Sequence, residues 1–196
     1  QFFMTLFALE IIGVVRSRFM ELQRILDEVS LKRVIIISQS DNQYVLGKLL
    51  KLRKLYGILY DMQQNVNLIF RYSIFYGTLS YILIILGDLN YIVEFAHTSD
   101  QNFNIGVSFV NFLYAFYYSS ASVSIVMSCD RMESISPKMV KTCYLYRDIL
   151  EKSIISNEFI ELAEYMKKLA PTFSAAGFFQ VNQQLLSILI SAIITY

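Results

Sequence analysis

Of 196 residues, 55% belong to the apolar set and 17% are Asp, Glu, Lys or Arg, against about 25% charged residues in an ordinary soluble domain. One His and two Cys exclude a multi-His metal centre and a zinc framework, and seven Gly with two Pro exclude a turn-rich β architecture. The net charge of +1 says little, but its distribution says a great deal. Lys and Arg are missing from 1–15, 72–130 and 169–196, and all but Arg71 fall in 16–54 and 131–168. Such banding is the pattern of a polytopic membrane protein.

Residues 1–15, QFFMTLFALEIIGVV, read as the end of a transmembrane helix, being short of the roughly 20 residues a full crossing needs. Residues 16–65 read as amphipathic helices on the cytoplasmic side. In RSRFMELQRILDEVS the apolar positions follow a helical period. ISQSDNQY (37–44) reads as a polar break. The excess of nine basic over four acidic residues in 16–56 sets the side.

A second span is expected over 66–93, its helix continuing inward past Asn67 and Asn65. An acidic extracellular loop follows over 94–103, where His97 reads as an ordinary exposed histidine. The third span covers 104–129. Residues 130–174 return to the cytoplasm as an amphipathic helical segment with Pro137 at its entrance. The last transmembrane helix starts at 175 and runs to 196. The fold class is therefore all-α, four helices of a polytopic membrane protein, and both ends read as cuts inside spans. Cys129 and Cys143 read as free thiols on the reducing side.

Polar residues inside the spans mark internal surfaces, because hydrocarbon offers them no partner. Asn111, Tyr114, Tyr118 and Ser122 share one face of the third span, while Ser120, Ser124 and Ser128 form a second line. Tyr72, Tyr76, Thr78 and Tyr81 repeat the theme on the second span. Two readings stand: hydroxyls that glue helices together, or the lining of a pocket for a small organic molecule. The candidate ligand-binding residues are Tyr76, Tyr81, Asn111, Tyr114 and Tyr118. On the last helix, Gln184 and the hydroxyl line Ser187, Ser191 and Thr195, with Tyr196, offer a pore-lining or gating face. The competing reading is a lipid-packed helix whose hydroxyls bond to their own turn. KLLKLRK (48–54) suits a packed cytoplasmic helix or a contact with lipid headgroups better than a nucleic-acid surface, and no phosphate-binding loop or catalytic signature is present.

Phe173, Ala176, Gly177, Phe178 and Phe179, followed by Leu185, Leu186, Thr195 and Tyr196, resemble the C-terminal signature of insect gustatory receptors. RFMELQRIL (18–26), LRKLYGILYDMQQNVNLIF (52–70) and ELAEYMKKL (161–169) agree. The resemblance covers essentially the whole chain, as the latter half of a seven-helix receptor. It implies spans four to seven and assembly as a homo- or hetero-tetrameric ligand-gated cation channel with other gustatory receptors. The expected setting is the plasma membrane of gustatory sensory neurons, the expected ligand a small plant-derived tastant, with membrane lipids as further partners. No cofactor, enzyme activity or nucleic acid is implied. Gln180, Val181 and Asn182 stand where the sugar-receptor branch often has a basic residue, which favours a bitter or deterrent receptor. A G-protein-coupled chemoreceptor is the alternative, a transporter fragment the third.

Overall fold

The computed structural model describes residues 2–35, 42–98, 105–150 and 154–195. Its helices are α1 (Phe2–Ile35), α2 (Asn42–Thr98), α3 (Ile105–Glu133), α4 (Ile135–Ile149), α5 (Ile154–Lys168) and α6 (Gln183–Thr195). Between α5 and α6 lies a two-stranded antiparallel hairpin, β1 (Ser174–Ala175) and β2 (Phe179–Gln180). The expected polar break over 37–44 falls largely outside the described residues, as does half of the loop expected over 94–103; α2 stays helical through Thr98.

The core is written as a heptad. Along α1 the buried positions are Ala8, Ile12, Val15, Phe19, Leu22, Leu26 and Val29. Along α2 they are Val45, Leu49, Leu52, Tyr56, Leu59, Gln63, Val66 and Phe70. Both rows alternate steps of four and three, the 3.5-residue period of helices that pack nearly parallel or antiparallel with interlocked side chains. Phe19 meets Tyr56 edge to face at 5.6 Å and Phe7 meets Phe70 at 6.0 Å. The pairing numbers run in opposite directions, so α1 and α2 are antiparallel.

Helices α4 and α5 close over one end of this pair. They bury Met139, Cys143, Phe159, Leu162 and Met166, and Tyr146 stacks on Phe159 at 6.1 Å. Gly57 lets α5 approach α2, since a Cβ there would sit 2.6 Å from the Tyr165 hydroxyl. Arg53 of α2 lies over the Tyr165 ring and reaches Glu161 at 3.2 Å.

At the other end the apolar residues are not covered. Leu83 of α2, Phe109, Leu113 and Phe116 of α3, and Ile188 of α6 are exposed. With 57 residues, α2 is about 85 Å long at 1.5 Å per residue, far more than the roughly 30 Å of a bilayer's hydrocarbon core. Its Gln43–Tyr91 portion contains a stretch long and apolar enough to cross a membrane. Among the described residues it alone passes that test.

The C-terminal part departs from expectation. Residues 175–182 were expected to open the last helix, but the helix begins at Gln183. Ala176 (φ 53°) and Gly177 (φ 82°) both take left-handed backbone. That conformation ends helical propagation and turns the chain, and the Phe178 amide closes the turn on the Ala175 carbonyl at 3.0 Å. Asn182 then caps α6, its Oδ1 accepting from the Leu185 amide at 3.3 Å.

Candidate functional site

Where the heptad packing of α1 against α2 ends, α3 joins them and a cavity of about 310 Å³ opens. Its walls include Met4 and Ala8 of α1, Phe70, Tyr76 and Thr78 of α2, and Ser122 and Val126 of α3. The volume lies at the lower end of the range for small-molecule sites, roughly 300–1,000 Å³. Thr78 donates its hydroxyl to its own turn, the Ile74 carbonyl at 2.8 Å. The ring of Tyr76 stands edge-on to Phe75 at 5.4 Å. One turn inward, the Arg71 guanidinium lies over the Tyr72 ring at 4.7 Å, and its Nε is buried without a partner among the described residues.

Of the residues singled out in sequence, Tyr72, Tyr76 and Thr78 of α2 line this cavity, as does Ser122 of α3. Tyr114 does not: it is exposed on α3, eight residues or about 12 Å further along the helix from Ser122. The side chains of Tyr81, Asn111 and Tyr118 lie outside the described ones. Ser120 and Ser124 bond to carbonyls of their own helix at 2.8 and 2.7 Å. On α6, Gln184, Ser187, Ser191 and Thr195 are exposed, and Thr195 donates to the Ser191 carbonyl at 2.7 Å. Tyr196 lies outside the described residues.

A polar junction missed in sequence lies just inward of the cavity. Three residues on the buried face of α2 or beside it reach the chain that leads to α6. The Tyr56 hydroxyl sits 3.1 Å from the Leu169 carbonyl, 3.3 Å from the Met166 carbonyl and 2.9 Å from Ser136 Oγ. Its single proton serves one of these acceptors at a time, the two carbonyls being among those left open at the end of α5. Gln63, fully buried, donates Nε2 to the Thr172 carbonyl at 2.7 Å. Asn67 Oδ1 accepts from the Ser174 amide at 3.1 Å.

From α3, Glu133 Oε1 accepts from the Phe173 amide at 2.6 Å. Asp130 Oδ1 stands 3.5 Å from the Gln183 amide, and Gln183 Nε2 stands 3.5 Å from Met127 Sδ. Burial raises the Glu133 carboxyl above its ordinary value; the Phe173 amide opposes that, and nearby Asp130 adds to it. The legible signal was a polar residue in a heptad core, Gln63 between Leu59 and Val66, since a buried amide in such a row must find a partner.

Deeper in the helical end, both cysteines are free and buried, in line with the thiols expected from sequence. Burial, with Asp27 nearby, pushes the Cys143 thiol up to about 12. It is a packing residue held as the neutral thiol.

Compared with known protein families, residues 1–196 match the 7tm Chemosensory receptor. The chain belongs to that family. No curated protein matches it. As a 7tm chemosensory receptor the chain serves reception rather than enzyme chemistry, at a membrane. The long apolar α2 and the uncovered apolar surfaces around it agree with that assignment.

Proposed function

We propose that the chain is part of a gustatory receptor subunit, a ligand-gated cation channel that detects small plant-derived tastants, bitter or deterrent rather than sugar. The observation that carries this reading is the cavity among α1, α2 and α3, whose α3 wall continues directly into the residues that hold the base of α6. In this reading the apolar parts of α1, α2, α3 and α6 cross the bilayer, and α6 lines the pore through Gln184, Ser187, Ser191, Thr195 and Tyr196.

Tyr76 contacts the tastant in the cavity, with Tyr81, Asn111, Tyr114 and Tyr118 on the outward approach to it. The helical end, with residues 16–65 and 130–174, is the cytoplasmic anchor of a tetramer. Leu55, Ile58 and Met62 support that role, forming an exposed apolar row at steps of three and four on α2, the kind of surface a second subunit covers.

The test is to express the full receptor chain in cells and record currents evoked by caffeine, quinine and sucrose. The reading expects alkaloid-evoked cation current that Tyr76→Ala shifts to higher concentration by about tenfold, the size of roughly 1.4 kcal/mol of lost contact. A surface-expressed receptor that answers these compounds only through a G protein, with no current of its own, would refute it.

A further inference from the structure

The junction between cavity and last helix has a geometry that assigns it a task. Three successive residues of the linker are each held by a different side chain. Gln63 takes the Thr172 carbonyl, Glu133 takes the Phe173 amide, and Asn67 takes the Ser174 amide. The two amides are neighbours in the chain, with Cα atoms fixed about 3.8 Å apart. Their acceptors stand on different helices, Glu133 at the end of α3 and Asn67 on α2. The linker amides therefore sit between two jaws, and each jaw is an extension of a cavity wall. Asn67 is three residues from Phe70, and Glu133 is seven residues, two turns, from Val126; both Phe70 and Val126 line the cavity.

Beyond the jaws the chain has little freedom before α6 starts. Val181 is fully buried and its amide bonds to the Phe173 carbonyl at 2.9 Å. Phe75, between the cavity residues Ile74 and Tyr76, stacks on Phe178 at 5.0 Å. Gln183 is held against Asp130 and Met127 of α3.

We propose that Glu133 and Asn67 are positioning residues that set the resting place of α6 by gripping adjacent linker amides from α3 and α2. A change of spacing between these helices breaks one grip and releases the base of α6. Adjacent amides cannot follow jaws that separate, and a hydrogen bond stretched by about 1 Å is lost. The inference rests on the channel reading for its consequence, but the grip itself does not.

Two measurements on the full receptor chain test it. Hydrogen exchange in detergent micelles reads the Phe173 and Ser174 amides directly. Wild type protects both. Glu133→Leu speeds exchange at Phe173 by about tenfold or more, and Asn67→Ala does so at Ser174, in keeping with the loss of a part-buried hydrogen bond. Glu133→Gln, which keeps an acceptor oxygen, restores protection. In patch recordings normalised to surface expression, Glu133→Leu raises ligand-free open probability by roughly fivefold or more, within the usual range of coupling between sites, and Glu133→Gln stays near wild type.

Unchanged exchange at both amides overturns the proposal. So does a surface-expressed Glu133→Leu receptor whose resting open probability equals that of wild type or falls below it. If Glu133→Leu fails to reach the surface, Asn67→Ala, at a half-buried position on the other jaw, carries the same pair of readouts. A wild-type receptor that never conducts counts against the channel reading, and amide exchange alone then decides the grip.

Discussion

Phe19 and Phe116 are the same residue in two different places. Phe19 is fully buried, wedged against Tyr56, whereas Phe116 is 66% exposed on α3. The contrast extends across the molecule. One end, built from the inner parts of α1 and α2 with α4 and α5, buries a continuous apolar row and carries Lys, Arg, Asp and Glu among exposed apolar residues such as Leu55, Ile58 and Met62 on its surface. The other end, built from the outer parts of α1, α2 and α3 with α6, leaves Leu, Phe and Ile on its surface and has few charges. A large uncovered apolar surface calls for a non-aqueous neighbour. On the proposed reading, water covers the inner end and lipid covers the outer one.

The strongest way to break this comparison is to truncate an equivalent side chain at each end. Phe19→Ala removes a packed ring from the heptad core and should cost about 3–5 kcal/mol. Phe116→Ala, at an exposed position, should stay within about 0.5 kcal/mol. Thermal melting in micelles distinguishes them; equal losses would mean that the two ends are packed alike.

A smaller effect sharpens the boundary between them. Gln63→Leu removes the hydrogen bond between a fully buried amide and the carbonyl of exposed Thr172, and the expected cost is about 0.5–1.5 kcal/mol. Denaturation of the detergent-solubilised protein reads it, and a stabilised variant would show that the amide is not needed there.

The pH dependence of Glu133 comes next. Burial raises this carboxyl above its ordinary 4.5, so the folded protein binds the proton more tightly than the unfolded chain does. Its contribution to stability is fully present below the unfolded value and is lost as pH rises through the folded one. Glu133→Gln should therefore flatten the fall in melting temperature from about pH 4.5 upward, with little change below the ordinary carboxylate range. An unchanged slope would contradict the burial of this group. The least effect is chemical: Cys143, buried and pushed up to about 12, should react with a membrane-permeant maleimide only as fast as the inner end unfolds.

Much of the outer end was legible because charge banding needs no tertiary information. Stretches without Lys or Arg hold the uncovered apolar residues Leu83, Phe109, Leu113, Phe116 and Ile188. The inner helices were legible by period, although α2 shows why period alone is incomplete. Leu46, Leu49, Leu50, Leu52, Leu55, Ile58 and Leu59 crowd more than one face, and only packing against α1 reveals that 45, 49, 52, 56 and 59 are the core row. The hairpin over 174–180 was hidden because small and aromatic residues also suit a membrane helix. It is decided by the left-handed backbone at Ala176 and Gly177.

The cavity was half legible. Tyr76 and Ser122 were marked as polar residues inside spans, but the contribution of Met4 and Ala8 depends on how α1 crosses α2 and α3. Gln63, Asn67 and Glu133 were passed over because their partners are backbone groups more than 35 residues away, a distance no local pattern spans.

The claim at the centre is that lipid covers the outer end while water covers the inner one. Spin labels placed singly at Leu83, Phe109 and Phe116, and at Met20, Leu50 and Leu145, in the full receptor reconstituted in bilayers, read this directly. The account predicts relaxation by oxygen at the first three and by a water-soluble nickel chelate at the second three. Nickel access at all six positions would contradict it.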